Sequence, residues 1–295
     1  MVHSDLATEP GLTNGSYGLQ NYLMNDPAYM RLYTIDGGIE RLPQELAKRL
    51  EAKVLLNQSV LRVENSTGDK LRVISKRNGE TIDGEFDFVV VALPNNLLPE
   101  IAWGGACLAD AMHKHHAHYD YPAHYLRVSI LFQNPFWRDY INESYFMLDA
   151  FGGCCLYDES ARNGGDSHGA LGWLIGGEPA LKLSAHTDEA LIDRVLDSLP
   201  SFLQHGREFF VEGRVHRWVG AVNGLPAGYP ARDPDSRHRP EPIEHPNLFV
   251  VGDYLFDSTL NGVLDSADYV AEWLQVEMEE RSAARANDTL HRAAT

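Results

Sequence analysis

Cysteine is scarce: the 295 residues hold three, and two of them are the adjacent pair Cys154-Cys155. That excludes a disulfide framework and points to a reducing compartment. Vicinal cysteines also close a disulfide only with strain. Basic side chains are outnumbered, 25 against 42 acidic ones, for a net charge of -17. Such a surface repels phosphate backbones and anionic bilayers, so neither nucleic acid nor a membrane is expected as partner. No run approaches the ~18 apolar residues of a membrane span. The opening Met1-Val-His-Ser-Asp5 lacks the charged and apolar regions of a secretory leader. A cytoplasmic protein is expected. The cluster His113-Lys-His-His-Ala-His118, with His124, has no cysteine or carboxylate set at ligand spacing. It reads as a polar helix or loop, and no metal is expected. No Ser-His-Asp order and no phosphate-binding P-loop stands out.

What is present is an ordinary globular composition, 44% hydrophobic and 23% charged, enough for one large domain or two interleaved ones. Residues 1–32 are polar and glycine-punctuated and predict a loosely structured segment. Leu42, Leu46 and Leu50 line one face of a helix expected over 39–52, with Pro43 in its first turn. A strand is expected over 54–64. Strands over 70–77 and 80–86 flank Asn78-Gly79, a strong hairpin signal. Phe88-Val-Val-Val-Ala-Leu93 reads as a strand buried on both faces and stopped by Pro94. Beyond residue 100, strand-like 125–132, 144–148 and 171–175 alternate with Gly-rich turns, and 190–203 reads as an amphipathic helix. The tail from Glu277 is charged and Ala-rich, expected to fray as a surface helix or stay disordered.

The most informative stretch comes near the end. Leu248-Phe-Val-Val-Gly-Asp253 is a strand apolar on both faces with an acid at its tip, and Ser258–Leu274 follows as a helix opening on Gly262. Leu264, Ala267, Ala271 and Leu274 recur there at helical spacing.

This segment resembles the cofactor-closing motif of flavin-containing amine oxidases and their wider superfamily. Further motifs follow that family's order: Gly37-Gly-Ile-Glu-Arg-Leu-Pro-Gln-Glu-Leu46, Val54-Leu-Leu-Asn-Gln-Ser-Val-Leu-Arg-Val63, Phe88–Pro94, Phe132-Gln-Asn-Pro-Phe-Trp137 and Arg217-Trp-Val-Gly220. Each is weak alone, but together they span roughly residues 33–275. The resemblance implies a mixed α/β fold: a partial Rossmann-like FAD-binding layer over 33–98 and 244–276. A substrate domain on a mixed sheet is inserted over 99–243, and 277–295 form a polar tail. It implies an FAD-dependent oxidoreductase acting on a small molecule, by hydride transfer from a C–N or C–C bond. The stretch 220–229 is shared with porphyrinogen-oxidase and desaturase branches, so that alternative stays open, as does a non-catalytic remnant or interaction subunit.

Carried over by position, Val60 would touch adenine through its backbone. Gly252, Asp253, Asn261, Gly262 and Val263 would close on the ribityl chain, pyrophosphate and isoalloxazine. Asp253 would accept hydroxyl protons, and bare amides around Gly262 and Val263 would meet the pyrimidine edge. Trp218 would wall the pocket; a core tryptophan is the alternative. No cysteine lies just upstream of Gly252, so the FAD is expected to be noncovalent.

Two departures from the family pattern matter. The G-x-G-x-x-G fingerprint that cradles the pyrophosphate occurs nowhere in the chain; Gly11–Gly18 has the wrong spacing. The chain therefore reads as the C-terminal part of a flavoenzyme, truncated or split, with a partner chain carrying the fingerprint. Second, the place of a lysine ten residues before Trp137, which promotes reaction with oxygen in many amine oxidases, is taken by Arg127. A broad guanidinium is no substitute for a compact ammonium. Arg127 is expected near flavin N5 or a substrate anion, or else salt-bridged on a strand surface.

Overall fold

The computed structural model describes residues 5–24, 35–160, 168–224, 228, 232–256 and 258–293. In chain order the elements are α1 (Gly15–Met24), α2 (Arg41–Arg49), β1 (Gln58–Asn65), β2 (Leu71–Arg77), β3 (Glu80–Phe86), β4 (Val89–Val91), β5 (Ala102–Trp103) and α3 (Ala106–His118). Then come β6 (Pro122–Phe132), β7 (Tyr145–Leu148), β8 (Cys154–Asp158), β9 (Gly169–Gly176), α4 (Gly177–Leu183), α5 (Asp188–Asp197), β10 (Phe210–Asn223), α6 (Pro234–His238), β11 (Leu248–Val250) and α7 (Leu260–Ala293). The class is mixed α/β. No helix among the described residues is long and apolar enough to cross a membrane.

The chain folds as two compact units: Met1–Leu56 with Tyr121–Ala227, and Asn57–Asp120 with Gly228–Thr295. These divisions differ from the expected ones at 33, 99 and 244. The composition change near residue 100 marks a proline-rich turn rather than a unit edge. Beyond it, β5 pairs with β1 in parallel. Leu108 and Met112 of α3 then enter the same core as Leu248 and Val250.

The first unit is built on a five-stranded sheet in the order β10-β6-β9-β8-β7, antiparallel throughout. Strand alternation puts Leu126, Val128, Ile130 and Phe132 on one face with Leu171, Trp173 and Ile175. They pack against Leu191, Val195 and Leu196 of α5. Each such fully buried side chain contributes about 1.5–3 kcal/mol. The helix expected over 190–203 stops at Asp197 and resumes as a 3-10 turn over Ser201–Phe209, because Pro200 cannot continue the ladder. Residues 1–32 are not loosely structured where described: Pro10–Leu12 form a 3-10 turn and α1 follows. Helix α2 is shorter than the expected 39–52 and buries none of its side chains.

The second unit holds the sheet β3-β2-β1-β5 and a separate parallel pair, β4 and β11. The hairpin forms where expected, with both Asn78 (φ 50°) and Gly79 (φ 88°) left-handed as a tight two-residue turn requires. Strand β11 is buried along its length, whereas β4 is not: Val90 is 41% exposed. The expectation of a doubly buried strand over 88–93 is corrected here, because among the described residues β4 lies at an edge and has β11 as its only paired neighbour.

Candidate flavin-facing site

At the carboxyl end of β11 the chain passes Gly252 and turns through a 3-10 segment, Asp253–Leu255, before α7 begins. Gly252 N–H donates to the Ser266 hydroxyl at 2.9 Å, and Ser266 lies 3.2 Å from His238 Nε2. His238 Nδ1 is 2.6 Å from the Pro234 carbonyl, which can only accept, so Nδ1 carries the proton. Nε2 is then the acceptor for the Ser266 O–H. Burial lowers the His238 pKa and outweighs the opposing bond to Pro234, keeping the ring neutral. This relay clamps the strand tip to the helix. Neither Ser266 nor His238 stood out in the sequence, since an isolated serine and histidine carry no spacing signal.

Asp253 is half-buried at the strand tip, and its Oδ1 accepts the Tyr254 N–H at 2.9 Å. A Cβ on Gly252 would meet the Tyr254 ring at 2.6 Å, so this glycine is required by the chain's own packing. The expectation of bare amides at the opening of α7 is overturned. Gly262 N–H donates to Thr259 Oγ1 at 3.1 Å, and Val263 N–H to the Thr259 carbonyl at 3.2 Å. A threonine just before a helix is an N-cap signal, and Thr259 was legible as one. Gly262 is buried; Asn261 and Val263 are exposed.

Val60 lies on β1, where the register with β2 slips between Val60 and Arg62. It lines a cavity of about 410 Å³ with Val63, Val73, Leu97 and the whole of β4. The second unit thus holds every residue expected to bind cofactor, with Gly252, Asp253 and Asn261–Val263 around one loop and Val60 on another sheet.

Beneath this loop, Tyr254 is buried against His115 of the histidine-rich helix α3 and Tyr119 just after it, with Tyr254 Oη 3.3 Å from His115 Nε2. Burial, reinforced by Arg232 and neighbouring histidines, holds the His115 pKa down at about 3. Among the described residues no group of three or more histidines, cysteines and acids could hold a metal ion.

Arg127 and Trp218 belong to the first unit and share the sheet face opposite its core. Trp218 pairs with Tyr125 and His216 with Arg127 across β10 and β6. Trp218 is 42% exposed and stacked on His216, which excludes the core-tryptophan reading. Arg127 is salt-bridged: its Nη2 and Nε reach Glu159 Oε1 at 2.5 and 3.1 Å, Ser129 Oγ lies 3.3 Å away, and its guanidinium sits over the Tyr157 ring. A Cβ on Gly172 would meet the same carboxylate oxygen at 1.8 Å, so that glycine makes the seat. Glu159 and Gly172 were invisible as site residues, because only the strand register brings them beside Arg127. Cys154 and Cys155 are buried; burial pushes the Cys154 thiol up to about 12, which removes it from redox chemistry. Part of the 220–229 stretch, at 225–227 and 229, lies outside the described residues.

The family model of flavin containing amine oxidoreductases matches residues 13–274. The chain belongs to that family. Solved structures show the same fold at low identity. A protein assigned as a protoporphyrinogen oxidase from Exiguobacterium sp. 255-15 aligns with TM-score 0.66 and 16% identity, over 88% of this chain and 55% of that one. Cyclohexylamine oxidase from Brevibacterium oxydans IH-35A gives 0.60 and 17%, over 81% and 53%. An engineered putrescine oxidase gives 0.59 and 18%, over 83% and 53%. The chain therefore spans about half the length of these family-fold structures. No curated protein matches it by sequence.

Proposed function

We propose that this chain is the cofactor-closing and substrate-facing part of an FAD-dependent oxidoreductase of the amine oxidase type, holding FAD noncovalently. The observation that carries the reading is the strand tip: a buried strand leads through Val251 and Gly252 to the half-buried Asp253, beside the N-terminus of a long helix, in a chain matching the flavin family over residues 13–274. The residues fit a flavin nucleotide in part. Asp253 suits ribityl hydroxyls as an acceptor, and the apolar cavity at Val60 suits the flat face of a purine. The Gly262 and Val263 amides reach a ligand only if Thr259 releases them, so the helix end contributes its dipole rather than direct bonds. Bound flavin would supply the hydride acceptor, while the protein positions and desolvates the substrate.

Arg127 favours a second reading within the same class. Its charge is already met by Glu159, so turnover by a dehydrogenase or desaturase route fits better than fast use of oxygen. The test is to tag the native protein at its own locus and purify it from its cells. The expected result is a yellow protein whose FAD is released on denaturation and bleached anaerobically by amines or by apolar polyenes, each panel marking one reading. Asp253→Ala should lower flavin content several-fold. A colourless native protein sinks the proposal; a yellow one that nothing bleaches supports a non-catalytic role.

A further inference from the structure

In the first unit, Arg127 and Glu159 cancel in charge without using up their hydrogen bonds. Arg127 Nε, Arg127 Nη2 and Ser129 Oγ all meet one carboxylate oxygen, Oε1. Among the described residues, Glu159 Oε2 and Arg127 Nη1 have no hydrogen-bond partner. An ion pair that serves only the fold gains most from two parallel bonds, with both oxygens engaged. Here one edge of the guanidinium is spent on a single oxygen, and the end formed by Nη1 and Nη2 stays open. Both side chains keep partial access to solvent, at 26% and 23% exposure.

The surroundings give a ligand somewhere to lie. Gly172 of β9 leaves a floor without a side chain beneath the carboxylate, and the guanidinium sits over the Tyr157 ring. On the neighbouring strand β10, His216 stands opposite Arg127 and Trp218 opposite Tyr125. Trp218 is thus one strand across and two residues along from Arg127, a diagonal of about 7–8 Å. His216 and Trp218 stack on each other, and both are exposed. A molecule held at the ion pair reaches this flat aromatic surface with a side chain about one ring long.

We infer that the Arg127–Glu159 pair recognises a small zwitterion of the amino-acid type, its carboxylate on the open end of Arg127, its ammonium on Glu159 Oε2 and its side chain on Trp218 and His216. Charge selects the two ligand groups together. A bare amine at Glu159 brings a second cation beside the guanidinium, and a bare acid at Arg127 brings a second anion beside Glu159. Each repulsion is offset when the ligand carries the opposite group as well. A bare acid must also approach a chain of net charge -17, whereas a zwitterion has no net charge to be repelled. The inference rests on the proposed function, in its C–N branch, only for the bound zwitterion being the molecule oxidised.

The test uses the protein purified from its own cells and follows binding by calorimetry, which does not depend on turnover. The three probes share one ring: phenylalanine, phenethylamine, which lacks the carboxylate, and phenylpropanoate, which lacks the ammonium. Phenylalanine should bind roughly tenfold or more tightly than either. Glu159→Gln should erase its advantage over phenylpropanoate by strengthening the acid, and Arg127→Gln its advantage over phenethylamine by strengthening the amine. Trp218→Ala should weaken all three alike. A pair that only supports the fold would leave those ratios unmoved in both charge variants, and that result overturns the inference. So does an amine or acid that binds the unaltered protein as tightly as phenylalanine, or a protein that binds none of the three. Phenylalanine held by a colourless protein would defeat the proposed function and leave the inference standing. A yellow protein bleached by amines, with no preference for phenylalanine, would do the reverse.

Discussion

At the scale of single residues, the seat of Arg127 is the clearest case of geometry deciding chemistry. The Glu159 carboxylate lies over Gly172 because no side chain is there, and Arg127 and Ser129 converge on one of its oxygens. A methyl at 172 would push that flexible carboxylate away rather than break the sheet. Gly172→Ala should therefore cost about 1–2 kcal/mol, the value of a charge-assisted bond left unmade. In the Glu159→Gln background the same change should cost much less, since the pair is already weakened. Urea denaturation of the four variants checks this. Equal costs in both backgrounds would show that Gly172 matters for backbone reasons alone.

At the scale of elements, the join between β11 and α7 depends on a hydroxyl. Ser266 accepts from Gly252 N–H and donates to a His238 held neutral by burial, so one atom serves strand tip, helix and the short helix α6. Ser266→Ala leaves the buried His238 Nε2 and the half-buried Gly252 N–H unpartnered and should cost roughly 1–3 kcal/mol. Its local signature is faster exchange of the Gly252 amide at unchanged exchange in β6 and β9. If all regions speed up alike, the relay is general core packing and not a clamp. The Thr259 cap and the Ser266 relay together satisfy the backbone of this strand-to-helix turn locally.

At the scale of the whole molecule, stability should fall in mild acid through buried imidazoles. His115 has its pKa lowered to about 3, chiefly by burial, and His238 is lowered for the same first reason. The unfolded chain protonates these rings near pH 6.5, so between there and about pH 3 it binds more protons than the folded chain, and folding weakens as pH falls. Asp158 adds to this at lower pH. Hydrogen bonds from Ser160, Trp137 and Arg138 outweigh the opposing effect of its burial and lower its pKa, so its contribution is lost as pH drops through the carboxylate range. Chemical denaturation of the full chain at a series of pH values should show a slope between pH 6.5 and 5 that His115→Gln flattens. A slope unaltered by that substitution would place the acid sensitivity elsewhere.

The sequence by itself determined the features that are local. Asn78-Gly79 fixed the hairpin because both residues tolerate left-handed backbone. Apolar alternation marked β6 and β9, and the ordered motifs marked the flavin family. The tertiary structure alone decided which apolar surfaces are used. Leu264, Ala267 and Ala271 form as good a stripe as any core-facing one, yet α7 buries the side bearing Gly262, Ser266 and Val270. Val90 sits in the middle of an apolar run and still lies at an edge. A helix with two apolar faces, or a strand apolar on both, has no local preference for either. The choice is made by distant residues that happen to pack there, and by what the second unit leaves uncovered.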